Sequence, residues 1–116
     1  MAMPGKYLFI ATMNVDAEKD ALFNEVYDKE HVPYLEKVPG VISVARFSKR
    51  ELRLRLAGET KTIEYPGEPR YHALYEIESP EVLTSDTFAE AVEDGRWPAE
   101  VRPYTRDRRH VLLERI

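Results

Sequence analysis

Apolar and polar positions alternate along the chain with a period that changes from block to block. "KYLFIATMNV" (6–15) is apolar on both parities, with Tyr7, Phe9, Ala11 and Met13 on one and Leu8, Ile10 and Thr12 on the other. That pattern predicts a strand buried on both faces. Asp16 then stands at a helix N-cap position. Beyond it, Leu22, Phe23, Val26 and Tyr27 share one helical stripe, opposite Asn24, Glu25, Asp28 and Lys29. Pro33 disfavours the helical conformation at the residue before it, so the helix is expected to end or kink near Val32.

After Pro39-Gly40, "VISVARFSKR" (41–50) reads as a second strand rich in β-branched residues. "ELRLRL" (51–56) alternates strictly, which predicts either an extension of that strand or a ribbon, and residues 57–69 read as a turn-rich connection. "RYHALYEIE" (70–78) is the third strand. Ser79-Pro80 opens a helical turn, and residues 85–95 form a short helix with Phe88, Ala91 and Val92 inward and Gly95 as its stop. A loop holding "RWP" (96–98) leads to the last strand, residues 104–115. This order predicts one α+β domain over residues 1–116, a ferredoxin-like βαββαβ unit with a four-stranded antiparallel sheet and two helices on one face.

Two helices cover one face of such a sheet, yet both parities of its strands carry large apolar side chains. An uncovered face of that character predicts a homodimer with two sheets packed face to face, an α+β barrel. The compact aliphatics Leu8, Ile10 and Leu74 suit packing against helices. The row Tyr7, Phe9, Met13, Tyr71, Ala73, Tyr75 and Ile77 is then assigned to the other side, where its hydroxyls either line a cavity or bridge the dimer.

Composition narrows the class. The chain has 116 residues, 43% of them hydrophobic and 33% charged, enough for a core without metal or disulfide staples. It has no cysteine, hence no thiolate nucleophile, disulfide or cysteine-ligated metal. The net charge of −4 argues against nucleic acid as a partner. The first apolar run is too short to cross a membrane and lacks a cleavage signature, so a cytoplasmic protein with no membrane association is the expectation.

"FNEVYDKEHVPYLEKVPGV" (23–41), with His-x-Pro followed by Pro-Gly at a strand opening, and "PRYHALYEIESPE" (69–81) resemble small stand-alone dimeric α+β barrel proteins of the EthD-like type. These belong to one superfamily with antibiotic-biosynthesis monooxygenases, muconolactone isomerases and small polyketide cyclases. The resemblance implies a homodimer with a hydrophobic pocket and, in catalytic members, cofactor-free chemistry on a small aromatic or polyketide-like molecule. It also matches His31 to a helix-end histidine and Tyr27 to the aromatic one turn earlier. Where polyketide cyclases carry further histidines on the sheet, this chain has Tyr7 and Tyr71. Haem-using relatives are larger with a different histidine context, so no cofactor is expected.

His31 is thus the candidate catalytic residue, with Tyr27, Tyr7, Phe9, Tyr71 and Tyr75 as candidate substrate-binding residues. Two roles are open to its imidazole: abstracting an acidic proton from a phenol or β-keto substrate, or donating to a free carbonyl at the proline-interrupted helix end. His72 is expected to point at the helices or an edge, and His110 at the surface. The three histidines lack metal-ligand spacing and no metal site is expected. Trp97 reads as a hydrophobic plug, Arg46 as a solvated sheet-edge residue, and "RDRRH" (106–110) as a solvated strand face. The rival to an enzyme is a non-catalytic small-molecule-binding or stress-response homodimer.

Overall fold

The computed structural model describes residues 5–116. Strand β1 (Tyr7–Val15) leads through a 3-10 turn, Ala17–Lys19, into helix α1 (Asp20–Val26). A wide turn of π-helix, Tyr27–His31, joins α1 to helix α2 (Val32–Glu36). Strands β2 (Val41–Ser48), β3 (Leu52–Leu56), β4 (Glu59–Ile63) and β5 (Tyr71–Ile77) follow. A 3-10 turn at Pro80–Thr84, helix α3 (Asp86–Val92), a second π turn at Trp97–Val101, a 3-10 turn at Arg102–Tyr104 and strand β6 (Thr105–Glu114) complete the chain. The main sheet has the order β2-β5-β1-β6 with every neighbouring pair antiparallel, which is the predicted ferredoxin-like α+β arrangement. No helix among the described residues is long and apolar enough to cross a membrane.

Several local expectations change. Residues 51–56 make a ribbon rather than extend β2, and part of the predicted connection is its second strand: β3 pairs with β4 alone, from Leu52 opposite Ile63 to Leu56 opposite Glu59. Alternation of Thr and Ile with charged residues outweighs the flanking turn residues there. Of the two outcomes expected near Val32, an end or a kink, the helix does not end but passes through Pro33 with its geometry deformed in the turn before, and Val32 itself is helical at φ −62° and ψ −50°. Proline lacks the N–H that would close the next turn, and its ring crowds the carbonyl four residues back. Widening the preceding turn accommodates both, and the Val32 N–H accordingly reaches back to the Tyr27 carbonyl. Asp16 makes no side-chain cap. By contrast, Ser85 Oγ accepts the Phe88 N–H at 3.1 Å and caps α3.

The largest correction concerns the sheet's faces. Ala11, Met13, Tyr71, Ala73, Tyr75 and Ile77 are buried beneath the helices with Phe23, Val26, Tyr27 and Leu35. The tyrosine row therefore faces the helices, and Leu8, Ile10 and Leu74 face away. Cross-strand register makes this outer face continuous: Ala45, Leu74, Ile10 and Val111 form one row, and Phe47, His72, Thr12 and Arg109 the next. His72 thus lies on the outer face, not toward the helices. Large tyrosines fill the wide gap between sheet and helices while finding hydroxyl partners there, which compact aliphatics do not do.

The chain enters β2 through Gly40, whose φ is +92° and where an added Cβ would lie 2.3 Å from Val82 Cγ2. Gly40→Ala should therefore cost about 2 kcal/mol or more, combining backbone strain with overpacking. Urea denaturation of the two proteins measures this as a lowered midpoint at unchanged slope.

Candidate functional site

The stripe Phe23, Tyr27 and His31 runs down the sheet side of α1 and the π turn, and Tyr27 and His31 are both buried. Their rings meet edge to face at 5.1 Å. Trp97 lies flat on His31 at 4.4 Å, with an interplanar angle of 22°, and packs against Tyr27 at 5.0 Å and Phe23 at 5.9 Å. A latch of charges holds the Trp97 segment to the helix. The Arg96 backbone N–H and Nε donate to Glu30 at 2.9 and 2.5 Å, and Arg96 Nη2 lies 3.1 Å from Glu25. The Arg96 donors hold the Glu30 carboxyl below its usual range. Gly95, at φ +71°, is required beside this latch, since a Cβ would sit 2.5 Å from Glu30 Oε1.

Between these rings and the sheet lies a cavity of about 310 Å³. Its floor is Phe9, Ala11, Met13 and Tyr75 from the sheet, its walls are Tyr27, His31, Leu35 and Trp97, and Phe88 and Val92 of α3 close one side. Arg102, Arg108 and His110 complete the lining. The Tyr27 and Tyr75 hydroxyls are 3.2 Å apart and hydrogen-bonded. Burial raises the pKa of both phenols, so at neutral pH they are hydrogen-bond donors, not bases.

His31 faces this cavity, and its Nδ1 is buried with no hydrogen-bond partner. Burial first, then the positive charges of Arg102 and Arg108, depress its pKa from the ordinary 6.5 to about 4. The imidazole is therefore neutral at physiological pH.

Of the residues singled out from sequence, His31, Tyr27, Phe9 and Tyr75 come together at the cavity. Tyr71 and Tyr7 do not. The Tyr71 hydroxyl donates to Asp20 Oδ1 and accepts from Asn24 Nδ2 at 3.3 Å, within a network that also ties down Arg46. Arg46 donates to Asp28 at 2.6 Å and Asn24 at 2.8 Å, and its guanidinium lies 4.5 Å from the Tyr27 ring centre. It is a clamp between β2 and α1 rather than a solvated edge residue. Tyr7 lies at the far end of its row between Ile77 and Glu114, beside the Lys6 ammonium. Residues not anticipated are Arg102, Arg108 and His110. His110 is exposed as expected, and its ring also stacks on Phe9 at 5.8 Å, which its parity with Phe9 across β1 and β6 would have indicated. Trp97 is buried as expected of a plug and is at the same time a cavity wall.

No protein-family model and no curated protein matches the sequence. Solved structures do match. An EthD family protein from Bacillus halodurans is 13% identical with a TM-score of 0.58, over 95% of this chain and 99% of that one. HapK from Hahella chejuensis is 14% identical with a TM-score of 0.57, over 95% and 92%. A mutant of MhuD with two manganese protoporphyrin IX bound per active site is 15% identical with a TM-score of 0.60, over 95% and 94%. MhuD is thus a porphyrin-binding chain of about this length, which overturns the expectation that haem-using relatives are much larger.

Because the folded pKa of His31 lies below its unfolded value, the unfolded chain takes up the proton first as pH falls. Its contribution to stability, about 3 kcal/mol, is present above pH 6.5 and is lost progressively as pH falls toward 4. Urea midpoints of wild type and His31→Phe, compared from pH 7 down to 4.5, should show a shallower fall in the variant. Together the sheet order and these likenesses give the chain the ferredoxin-like α+β fold shared by EthD-type proteins and an antibiotic biosynthesis monooxygenase.

Proposed function

We propose that this protein binds a small hydrophobic, aromatic or polyketide-like molecule in the cavity beside His31 and acts on it by cofactor-independent acid–base chemistry. The observation that carries this is the buried, unpartnered Nδ1 of an imidazole that lines the cavity. An orphaned buried polar atom costs about 1–3 kcal/mol, which a purely structural histidine would recover by bonding a carbonyl. The Trp97, Phe9 and Tyr75 rings supply flat apolar contact area, and the Tyr27–Tyr75 hydroxyl pair supplies a donor for a ligand oxygen.

In this reading the neutral His31 accepts a proton from a phenolic O–H or from a C–H activated by flanking carbonyls. The phenol pair donates to the oxygen on which negative charge develops. Its weak basicity in the empty site restricts it to acidic protons, and the anion formed beside it would favour the imidazolium. The porphyrin of MhuD does not carry over. About 310 Å³ is at the small end of ligand pockets, and Trp97 already covers a face of the His31 ring.

The same low basicity favours a second reading, a binder that leaves its ligand unchanged. Trp97 is the chain's one tryptophan and a cavity wall, so its fluorescence reports binding directly. Phenols and β-diketones should quench or shift it in both wild type and His31→Ala. Turnover, followed by loss of substrate absorbance, should fall about 10²- to 10⁴-fold in the variant. Binding without turnover in wild type selects the binder, and equal turnover in both proteins removes the role given to His31.

The outer sheet face supports assembly as a homodimer. Phe47, Val111 and Leu113 are each about half exposed there, on rows continuous with Ile10 and Leu74. Light scattering at micromolar concentration should give twice the 13.5 kDa chain mass, and Val111→Lys with Leu113→Lys should give the monomer.

A further inference from the structure

The cavity is charged in a way that its apolar walls alone do not require. Its lining contains Arg102, Arg108, His31 and His110 and no carboxylate, in a chain whose acidic residues outnumber its basic ones by 21 to 17. The two arginines differ. Arg102 is committed, with Nη1 donating to Glu93 at 3.0 Å and Nη2 to the Val92 carbonyl at 3.0 Å, so a carboxylate already offsets its charge. The Arg108 guanidinium, exposed at the rim, has no carboxylate and no hydrogen-bond acceptor among the described residues.

The strand itself puts it there: Leu112 and His110, opposite Phe9 and Ala11, face the helices, and regular alternation places Arg108 on the same side, with the chain bending just beyond it. Thr12 pairs with Arg109 and Asn14 with Arg106, so Asp107 and Arg108 together oppose the single residue Met13. Asp107 takes φ +54°, a conformation that L-residues avoid. Asn14 holds it: its Nδ2 donates to Asp107 Oδ2 at 2.9 Å while its Oδ1 accepts the Arg70 N–H at 2.8 Å. A bulge of this kind re-aims the strand beyond it: it carries Arg106 onto the outer row with Arg109, opposite Asn14 and Thr12, while Arg108 stays on the cavity side. The charge is felt inside, where Arg108 opposes protonation of His31 and of His110.

We propose that the cavity's ligand is an anion, a flat unsaturated molecule of one or two rings bearing a carboxylate, whose rings lie against Trp97 and Phe9 and whose carboxylate is held by the Arg108 guanidinium at the rim. The planar fork of arginine suits a carboxylate with two parallel hydrogen bonds. The aromatic end then lies beside His31 and the tyrosine hydroxyls, with the charged end nearest water. Arg108 is a binding and orienting residue in this arrangement. The proposal rests on the reading of the cavity as a ligand site, and the test separates the two.

The probes are 2-naphthoate and its neutral counterpart 2-naphthylmethanol, titrated into the full chain at pH 7 and low salt with Trp97 fluorescence as the readout. Wild type should bind the carboxylate at least about tenfold more tightly than the alcohol. Arg108→Gln should abolish that preference while leaving the alcohol's affinity unchanged, Arg108→Lys should retain part of it, and Arg109→Gln, on the outer row, should retain all of it. Equal affinity for the two probes in wild type, or a preference that survives Arg108→Gln, overturns the anion anchor and leaves the cavity reading standing. Absence of any fluorescence response to either probe overturns both.

Discussion

The missing N–H of Pro33 is the constraint on which the site is built. A regular helix through this position would carry a steric clash and an unpaired carbonyl, at a cost of about 3 kcal/mol. The chain answers by widening one turn, Tyr27–His31, so that the Val32 N–H bonds five residues back. That wide turn keeps the helix running to Glu36 and leaves both Tyr27 and His31 pointing at the sheet. The second wide turn, Trp97–Val101, also contains a proline near its start, and it delivers Trp97 onto the same imidazole. The aromatic stack around His31 is the product of two helical segments deformed in the same sense, joined by the Arg96–Glu30 latch.

The sheet shows where sequence pattern stops being informative. Short apolar and β-branched runs bounded by turn residues locate β1, β2, β5 and β6 to within a few residues and, with the two amphipathic segments, are enough for the βαββαβ order. They do not say which parity lies under the helices, because both are apolar in β1 and β5. That choice depends on the thickness of the layer between sheet and helices, a property of the assembled pair. Phe23, Tyr27 and Trp97 on the helical side are large rings, and Tyr71 and Tyr75 meet them, Tyr71 ring to ring with Phe23 at 4.8 Å and Tyr75 hydroxyl to hydroxyl with Tyr27 at 3.2 Å. Size matching across the interface decided what hydrophobicity alone left open.

The same distinction governs the site. His31, Tyr27, Phe9 and Tyr75 are visible in sequence because helical and strand periods place them on faces that converge. Tyr71 has the right parity, yet Asp20 and Asn24 take its hydroxyl, and no pattern in the sequence marks that competition. Arg108 is hidden for a different reason. In "RDRRH" both parities are charged, which masks the inner position that alternation back from His110 gives Arg108, and the bulge at Asp107 moves Arg106 to the other face. Bulges are backbone events fixed by partners far away in sequence, here Asn14 and through it Arg70. A basic stretch that looks like a solvated strand therefore carries a cavity residue.

Two buried polar atoms among the described residues lack partners, and they lie on opposite faces of the sheet. One is Nδ1 of His31, whose ring lines the cavity; the other is Glu76 Oε2 on the outer face, whose sister oxygen accepts from Ser43 Oγ at 2.5 Å. Orphaned buried groups are selected against because each forfeits solvation without recompense. The ring that carries the first lines the cavity, and the second lies on the apolar face left uncovered by helices, beside Leu8 and Leu74. The two unmatched atoms thus mark the two faces of the sheet, the cavity side beneath the helices and the apolar side beyond them.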